Sequence, residues 1–186
     1  MRVNDDGATL VLWHSPRSVT QSWWLRSRAP HGAFSHTVKL TDMENLEVAL
    51  DGHGSVLALL RPEGPSQHSE ACFPGTNELL GGIWKAGSQP TFQTLDDCVW
   101  FNGLSLAVSA SDQALGAWHR IPATSEQQGG GVRVSLRSPD AGFGAPSTVA
   151  DPDGSWPKAT LTDDNRALIL WGGEQLKATL DDAPAG

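Results

Sequence analysis

The sequence predicts an all-β fold: a β-propeller whose blades are sheets of four antiparallel strands. Three observations predict it. Two sequence landmarks recur with a period in the fifties, short alternating segments are separated by Gly, Asn or Asp, and no segment has helical apolar spacing over ten or more residues. The 186 residues are expected to form a single domain of about 3.5 blades, with repeats at about 1–40, 41–95, 96–149 and 150–186.

The first landmark is an apolar run that follows a turn and closes on a large residue. The closing residues recur at steps of 47, 58 and 53 positions and are Trp13, Leu60, Trp118 and Trp171. The second landmark is a segment that contains Phe in each copy. It recurs at steps of 55 and 54 positions and ends at Leu40, Leu95 and Val149. The two landmarks agree on one period, and the repeated Trp residues are expected in the core.

Each repeat contains four strand signals in a fixed order. An alternating segment such as Leu46–Leu50 predicts a first strand with one buried face. A short turn with Gly, Asn or Asp follows, and then the apolar run, which is typical of an inner strand buried on both faces. Ser22–Arg28 and Gly131–Arg137 predict third strands whose alternate Arg residues face solvent. The segment with Phe is the fourth strand.

The register of the repeat predicts three, four, four and three strands in successive copies. The first copy is expected to begin at its second strand, and the last copy to lack its fourth. An incomplete ring leaves open sheet edges. Three interpretations remain open: a piece of a longer propeller, two copies that close one ring as a homodimer, or a strained ring of four blades.

Composition and charge restrict the class of partner. The chain has 13 Lys and Arg against 21 Asp and Glu, a formal net charge of -8, and its basic residues form no stripe. Such a surface repels phosphate backbones, so no nucleic-acid partner is expected. No segment approaches eighteen apolar residues, so no membrane span is expected. The first seven residues lack the apolar core of a signal peptide, and the location in the cell is left unassigned.

The two cysteines, Cys72 and Cys98, have two interpretations. They lie 26 positions apart without the CxxC spacing of a metal site. They form either a disulfide, which would favour an extracellular location, or two separate buried thiols.

The clearest copy of the repeat reads Val108–Arg120 followed by Val132–Pro146, with an apolar strand ending in Trp118-His119-Arg120 and a later Gly142-Phe143-x-x-Pro146. This pattern resembles the BNR-like, sialidase-type propeller repeats of bacteria, over nearly the whole chain and most weakly from Pro62 to Pro90. The resemblance implies a propeller fold and a secreted bacterial protein. It implies little about activity, because one fold hosts many functions.

The sequence departs from the catalytic members of that family. No segment matches the Asp-box Ser-x-Asp-x-Gly-x-x-Trp, and the chain contains no Tyr to act as the nucleophile of a sialidase. Sialidase chemistry is therefore not expected from this chain.

The loops that lead from each fourth strand to the next first strand carry acids and Trp at equivalent places. The candidate ligand-binding residues there are Asp42, Asp97, Trp100, Asp151, Asp153 and Trp156. Carboxylates would bind sugar hydroxyls, and a Trp would stack on the apolar face of a sugar ring. The alternative is that these Asp residues cap their own turns and that the Trp residues pack between repeats.

No cofactor, metal site or catalytic residue is predicted. The sequence Asp151-Pro-Asp-Gly154 has the acids of a calcium loop without its spacing, and is interpreted as a turn. We therefore expect a non-enzymatic binding or scaffold module with a carbohydrate or protein partner. The alternative is part of a secreted glycoside-processing enzyme, for which two carboxylates must flank the bond that is cleaved.

Overall fold

The computed structural model describes residues 1–14, 22–40, 43–62, 78–85, 88–97, 99–120, 131–139, 141–149, 155–162, 164, 166–172 and 177–182. For residues 44, 100–102 and 177–182 it describes the backbone alone. Within these ranges there is no helix of the length and hydrophobicity that a membrane span requires.

In the described part of the chain, fifteen strands form four antiparallel sheets, each a meander of consecutive strands. Sheet 1 consists of β1 (Arg2–Val3), β2 (Thr9–His14), β3 (Trp23–Arg28) and β4 (Val38–Leu40). Sheet 2 consists of β5 (Met43–Leu50), β6 (Val56–Pro62), β7 (Leu79–Trp84) and β8 (Thr91–Asp96). Sheet 3 consists of β9 (Val99–Val108), β10 (Ala114–Arg120), β11 (Gly131–Arg137) and β12 (Ser147–Thr148). Sheet 4 consists of β13 (Ser155–Leu161), β14 (Arg166–Gly172) and β15 (Lys177–Asp182).

The predicted fold class is confirmed: the protein is all-β, and its sheets have the strand order of propeller blades. The predicted strand count of the first copy is wrong. Arg2 and Val3 form a short first strand opposite Leu10 and Thr9, because the turn between them brings the two segments together. In the third copy only Ser147–Thr148 forms the fourth strand, and Phe143 adds a single bridge to Arg137.

The second strands of sheets 2 and 3 are buried on both faces. In β6, Val56, Ala58 and Leu60 face sheet 1, whereas Leu57 and Leu59 face sheet 3. Successive side chains of a strand point to opposite faces, so this unbroken apolar run supplies two interfaces at once. Because β10 is built in the same way, the sheets stack in chain order.

Three hydrophobic clusters hold this stack together, one between each pair of consecutive sheets. The first joins Leu10 and Leu25 of sheet 1 to β6 and Trp84 of sheet 2. The second joins sheet 2 to Trp118 and Phe143 of sheet 3, and the third joins sheet 3 to Trp171 of sheet 4. None of these clusters of described residues joins sheet 4 to sheet 1.

The expectation that the repeated Trp residues are all core is wrong for one of them. Trp118 and Trp171 are buried, but Trp13 is exposed. The closing residue of each β2-type strand points to the preceding sheet in the stack: Leu60 to sheet 1, Trp118 to sheet 2 and Trp171 to sheet 3. None of the described residues forms a sheet that covers Trp13.

Gly81 sets the close approach of sheets 2 and 3. A Cβ atom at this position would lie 2.8 Å from Cδ2 of Phe143 and 3.0 Å from Cδ1 of Leu95, closer than atoms in contact can lie. The missing side chain therefore makes room for the buried Phe143 ring, whose edge packs on the backbone of β7.

We expect Gly81→Ala to lower the free energy of unfolding by about 1–3 kcal/mol, because it overpacks this interface. Urea denaturation measures the loss. The double variant Gly81→Ala with Phe143→Leu should lose less free energy of unfolding than the two single variants lose together, because the smaller Leu side chain relieves the clash. Gly172→Ala is the control, since its Cβ would meet only the carbonyl oxygen of Ser155 at 3.9 Å. Equal losses at positions 81 and 172 would contradict the packing argument.

Candidate ligand-binding cleft

A five-residue turn joins the first two strands of every sheet. The turns are Asn4–Ala8, Asp51–Ser55, Ser109–Gln113 and Thr162–Arg166. In each one the first residue donates its backbone N–H to the carbonyl of the fifth, at 2.9–3.1 Å. In three of them the side chain of the first residue accepts the N–H of the fifth: Asn4, Asp51 and Thr162 act in this way. A polar residue that opens the turn therefore serves as its cap.

In sheets 1, 2 and 3 the fourth residue of the turn has a left-handed backbone. Gly7 and Gly54 occupy it in sheets 1 and 2, at φ 83° and 77°. Sheet 3 places Asp112 there, at φ 63°. A residue with a Cβ atom is strained in this conformation, whereas Gly is not; Asp adopts it more readily than most other residues.

The Asp112 carboxylate crosses from sheet 3 to sheet 2. Its Oδ1 accepts a hydrogen bond from the backbone N–H of Gly52, and its Oδ2 lies 2.6 Å from Nδ1 of His53. The imidazole of His53 is largely exposed, whereas Asp112 is buried. Asp112 thus ties the turns of two neighbouring sheets together.

Arg137 is buried beside this pair, so the expectation that the alternate Arg residues of this strand face solvent is wrong. Its Nη1 donates to the carbonyl of Asp112 at 3.1 Å, and its Nε donates to the carbonyl of Ala141 at 3.0 Å. Its Nη2 lies 4.0 Å from Oδ2 of Asp51. Burial of a guanidinium is tolerated here because backbone carbonyls and a carboxylate surround it.

A cleft of about 440 Å³ opens next to Arg137, between the outer strands of sheet 2 and the loop before Phe143. Its lining combines the aromatic residues Trp84 and Phe92 with the polar residues Lys85 and Gln93. The two aromatic rings meet edge to face, with their centroids 6.3 Å apart. A second cavity of about 300 Å³ contains His53, Asp112 and Asp51. Ser55, Lys85 and Arg137 line both cavities, so the two adjoin.

The ring of Phe92 lies against Gly82, where a Cβ atom would approach it to 2.7 Å. The buried Nε1 of Trp84 has no hydrogen-bond acceptor among the described residues. Gln93 uses its Nε2 to bind the carbonyl of Phe143 at 2.9 Å, which fixes the carboxamide across the two sheets. The cleft therefore lies at the outer edge of sheet 2: Phe92 and Trp84 point to one face of this sheet, and Gln93 points to the other.

Asp51, His53 and Asp112 bring potential metal-ligand atoms within 4.8 Å of one another. Their atoms are already engaged: Oδ1 of Asp51 accepts the N–H of Ser55, and both oxygens of Asp112 have partners. The Arg137 guanidinium also opposes a cation at this place. We therefore interpret the trio as a hydrogen-bonded junction of two turns, which sequence spacing did not reveal because residues 51 and 112 are distant in the chain.

The opposite end of the same sheets holds a second polar cluster, around Asp96. This buried carboxylate accepts Nε1 of Trp118 at 2.7 Å and Nη1 of Arg133 at 2.9 Å. Arg120 lies 3.4 Å from it and donates to Asp97 at 3.2 Å. Arg133 therefore also faces the neighbouring sheet rather than solvent, which corrects the expectation for this Arg as well. A buried carboxylate surrounded in this way is a structural junction.

The first strands of sheets 2, 3 and 4 each have a bulge or irregularity near their start. It lies between Met43 and Asn45 in β5, between Val99 and Leu104 in β9, and between Ser155 and Lys158 in β13. Bulges redirect side chains. The bulge in β13 holds Trp156 in a left-handed conformation at φ 49° with 62% of its surface exposed. Trp156 is thus an accessible aromatic side chain, as a ligand-binding role would require.

The remaining predicted residues differ in what is described of them. Asp97 is partly exposed and paired with Arg120. The backbone of Trp100 lies in the bulged part of β9. Asp42, Asp151, Asp153, Cys72 and Cys98 lie outside the described residues. Sequence reasoning missed Phe92, Trp84 and Arg137; of these, only Trp84 lies in the Pro62–Pro90 region that departs from the repeat.

No protein-family model matches the chain, and a search of curated proteins finds no significant match. The resemblance to BNR-like repeats therefore rests on the sequence motifs alone.

His119 follows Trp118, and its Nδ1 is buried without a hydrogen-bond partner among the described residues. Gly103 opposite it has no side chain, and a Cβ there would lie 2.6 Å from Cβ of His119. Burial lowers the pKa of His119 below its ordinary value of 6.5, because an imidazolium ion would lose its hydration.

We expect the free energy of unfolding to fall as pH decreases from 7 to below 6.5, because the unfolded chain then binds a proton that folded His119 excludes. The folded protein gains this proton only at a lower pH, so the loss continues down to the folded-state pKa. His119→Gln should flatten this part of the pH profile, measured by urea denaturation at each pH. His36→Gln, at an exposed position, should keep the original slope. An unchanged profile in His119→Gln would contradict the assignment.

The left-handed backbone of Asp112 gives a second prediction. Both Asp112→Gly and Asp112→Ala remove the carboxylate, but only Gly fits the conformation without strain. We expect the Ala variant to be less stable than the Gly variant by about 1 kcal/mol, measured by thermal unfolding. At the neighbouring Ser111 the same pair of substitutions should show no such preference for Gly. A Gly variant at position 112 that is no more stable than the Ala variant would contradict the strain argument.

Proposed function

We propose that the protein is a non-enzymatic carbohydrate-binding module whose ligand lies in the cleft at the outer edge of sheet 2, beside the loop before Phe143. The observation that carries this proposal is a preformed cleft at the outer edge of sheet 2, which Phe92, 41% exposed, lines together with Lys85, Gln93 and Arg137. Sugars present an apolar ring face bordered by hydroxyl groups. An aromatic surface edged by polar side chains complements both parts.

The charge of the two adjoining cavities, taken together, favours a neutral ligand. The two cavities are lined by the cations Lys85 and Arg137 and by the carboxylates Asp51 and Asp112. Nη2 of Arg137 lies 4.0 Å from Oδ2 of Asp51, and the two cations and two carboxylates carry equal and opposite formal charges. A polyhydroxylated ligand gains from such alternating donors and acceptors, whereas a strongly anionic ligand would meet the carboxylates.

The geometry supports binding better than hydrolysis. A retaining glycosidase needs two free carboxyl groups about 5 Å apart. Asp51 and Asp112 are close enough, but their oxygen atoms hold backbone N–H groups and His53. A carboxylate that caps a turn is poorly placed to act as nucleophile or acid. We therefore assign recognition rather than cleavage to this site.

Titration in solution tests the proposal. Neutral gluco-, manno-, galacto- and N-acetylglucosamine oligosaccharides serve as probes, and calorimetry gives the dissociation constant per site. We expect at least one class to bind and Phe92→Ala to weaken it about tenfold or more, because the stacking surface is lost. Phe34→Ala is the matched control: Phe34 is as exposed as Phe92, at 40% against 41%, but lies on sheet 1.

Two outcomes would overturn the proposal. Absence of binding to every probe would exclude the carbohydrate class. Weakened binding in Trp156→Ala together with unchanged binding in Phe92→Ala would move the site to the bulged end of the sheets. Far-ultraviolet circular dichroism of each variant distinguishes these outcomes from loss of fold.

A further inference from the structure

The outermost faces of the stack are the two that no described residue covers. On sheet 1 this free face carries Val11, Trp13, Trp24 and Arg26, which lie opposite one another on β2 and β3. Phe34 stands at its edge, with the guanidinium groups of Arg26 and Arg28 at 5.7 Å and 5.3 Å from the ring centre. On sheet 4 the free face carries Leu168 and Leu170, because Ala167 and Ile169 face sheet 3.

The free face of sheet 1 repeats the face by which sheet 3 binds sheet 2. Trp13 and Trp118 are both the ninth residue after the first residue of their turns. Phe34 and Phe143 are also in equivalent places. The residue after Phe34 donates its backbone N–H to the carbonyl of Ser27, and the residue after Phe143 donates its own to the carbonyl of Leu136, both on third strands. Trp118 and Phe143 are 0% and 5% exposed, whereas Trp13 and Phe34 are 39% and 40% exposed. Large aromatic residues are thus placed for an interface that the described chain does not fill.

The free face of sheet 4 repeats the opposite half of that interface. Leu168 and Leu170 occupy the positions of Leu57 and Leu59, which sheet 3 buries completely. In sheet 2, Leu59 pairs with Gly81, the small residue that admits Phe143. In sheet 4, Leu170 pairs with Ala178, again a small residue.

We propose that two copies of this chain assemble by packing sheet 1 of each copy on sheet 4 of the other. The contact would continue the arrangement that the chain already uses between its own consecutive sheets: Trp13 and Phe34 of one copy lie against Leu168 and Leu170 of the second. Two such contacts close a ring of eight sheets, which lies within the range of four to eight blades known for propellers. Each interface is heterologous, because different faces meet, and the ring closes by two-fold symmetry.

Sedimentation velocity of the purified chain at micromolar concentrations tests the assembly. We expect a species with twice the mass of one chain. Trp13→Glu and Leu170→Glu should each give monomers under conditions where the wild type is dimeric, because a carboxylate would be buried in both contacts of the ring. Phe92→Glu is the matched control: Phe92 is as exposed as Trp13 but lies on neither free face, so this variant should remain a dimer.

A mixture of the two monomeric variants identifies which faces meet. The Leu170→Glu variant keeps an intact sheet 1, and the Trp13→Glu variant keeps an intact sheet 4. One of the two contacts can therefore form between them, and we expect a one-to-one heterodimer weaker than the wild-type dimer. A symmetric contact of sheet 1 with sheet 1 would give no such species.

Circular dichroism and thermal unfolding establish that each variant is folded. Phe34→Glu and Leu168→Glu, on the same two faces, replace any variant that is not. A wild-type chain that is folded and monomeric at all concentrations would overturn the proposal. The two free faces would then need a different cover, such as a further sheet of a longer chain or another protein. It would also be overturned if Leu170→Glu remained dimeric while Trp13→Glu did not.

Discussion

The architecture depends on the two-sided burial of the second strand in each inner sheet. A strand that is apolar on both faces cannot contact water on either, so β6 and β10 each require a sheet above and a sheet below. Val56, Ala58 and Leu60 satisfy the first requirement for β6, and Leu57 and Leu59 satisfy the second. The stacking order, the three clusters and the close approach at Gly81 all follow from this demand. The outer faces of sheets 1 and 4 differ from the inner faces. They carry the same kinds of apolar residue, but no described sheet packs on them.

The repeat at the level of strands was predictable because it depends on local signals. Apolar alternation, a polar residue that opens each turn and Gly, Asp or Asn at the fourth turn position are all visible along the chain. The second strand of a copy could be recognised from Leu57 to Leu60 or from Ala114 to Trp118 without knowledge of their neighbours. The short strand Arg2–Val3 was missed because two residues carry no alternation; only the turn Asn4–Ala8 brings them into the sheet.

The site was not predictable in the same way, because it depends on which sheet faces which. Arg133 and Arg137 alternate along β11 as solvent-facing cations would, yet they meet Asp96 and Asp112 at the interface with sheet 2. Phe92 belongs to a segment that resembles the repeat, and the cleft that it lines also depends on the loop before Phe143 in the next sheet. These are relations between distant segments, so spacing within one copy could not reveal them. Among the ligand-binding residues predicted from the sequence, Trp156 is the aromatic one whose exposure the described structure shows.

Every described strand pair joins strands that are consecutive in the chain, and this has a consequence for how the protein folds. Within a sheet each strand pairs with the next strand in the chain, so the entropy cost of forming one sheet is lower than that of pairing strands from separate repeats. Only the packing of one sheet on the next needs residues from separate repeats. We therefore expect each sheet to form locally and to become stable only when the neighbouring sheet packs on it, as in other repeat proteins with nearest-neighbour coupling. During synthesis, the stack would then grow in one direction, with each new sheet covering the exposed leucines of the one before.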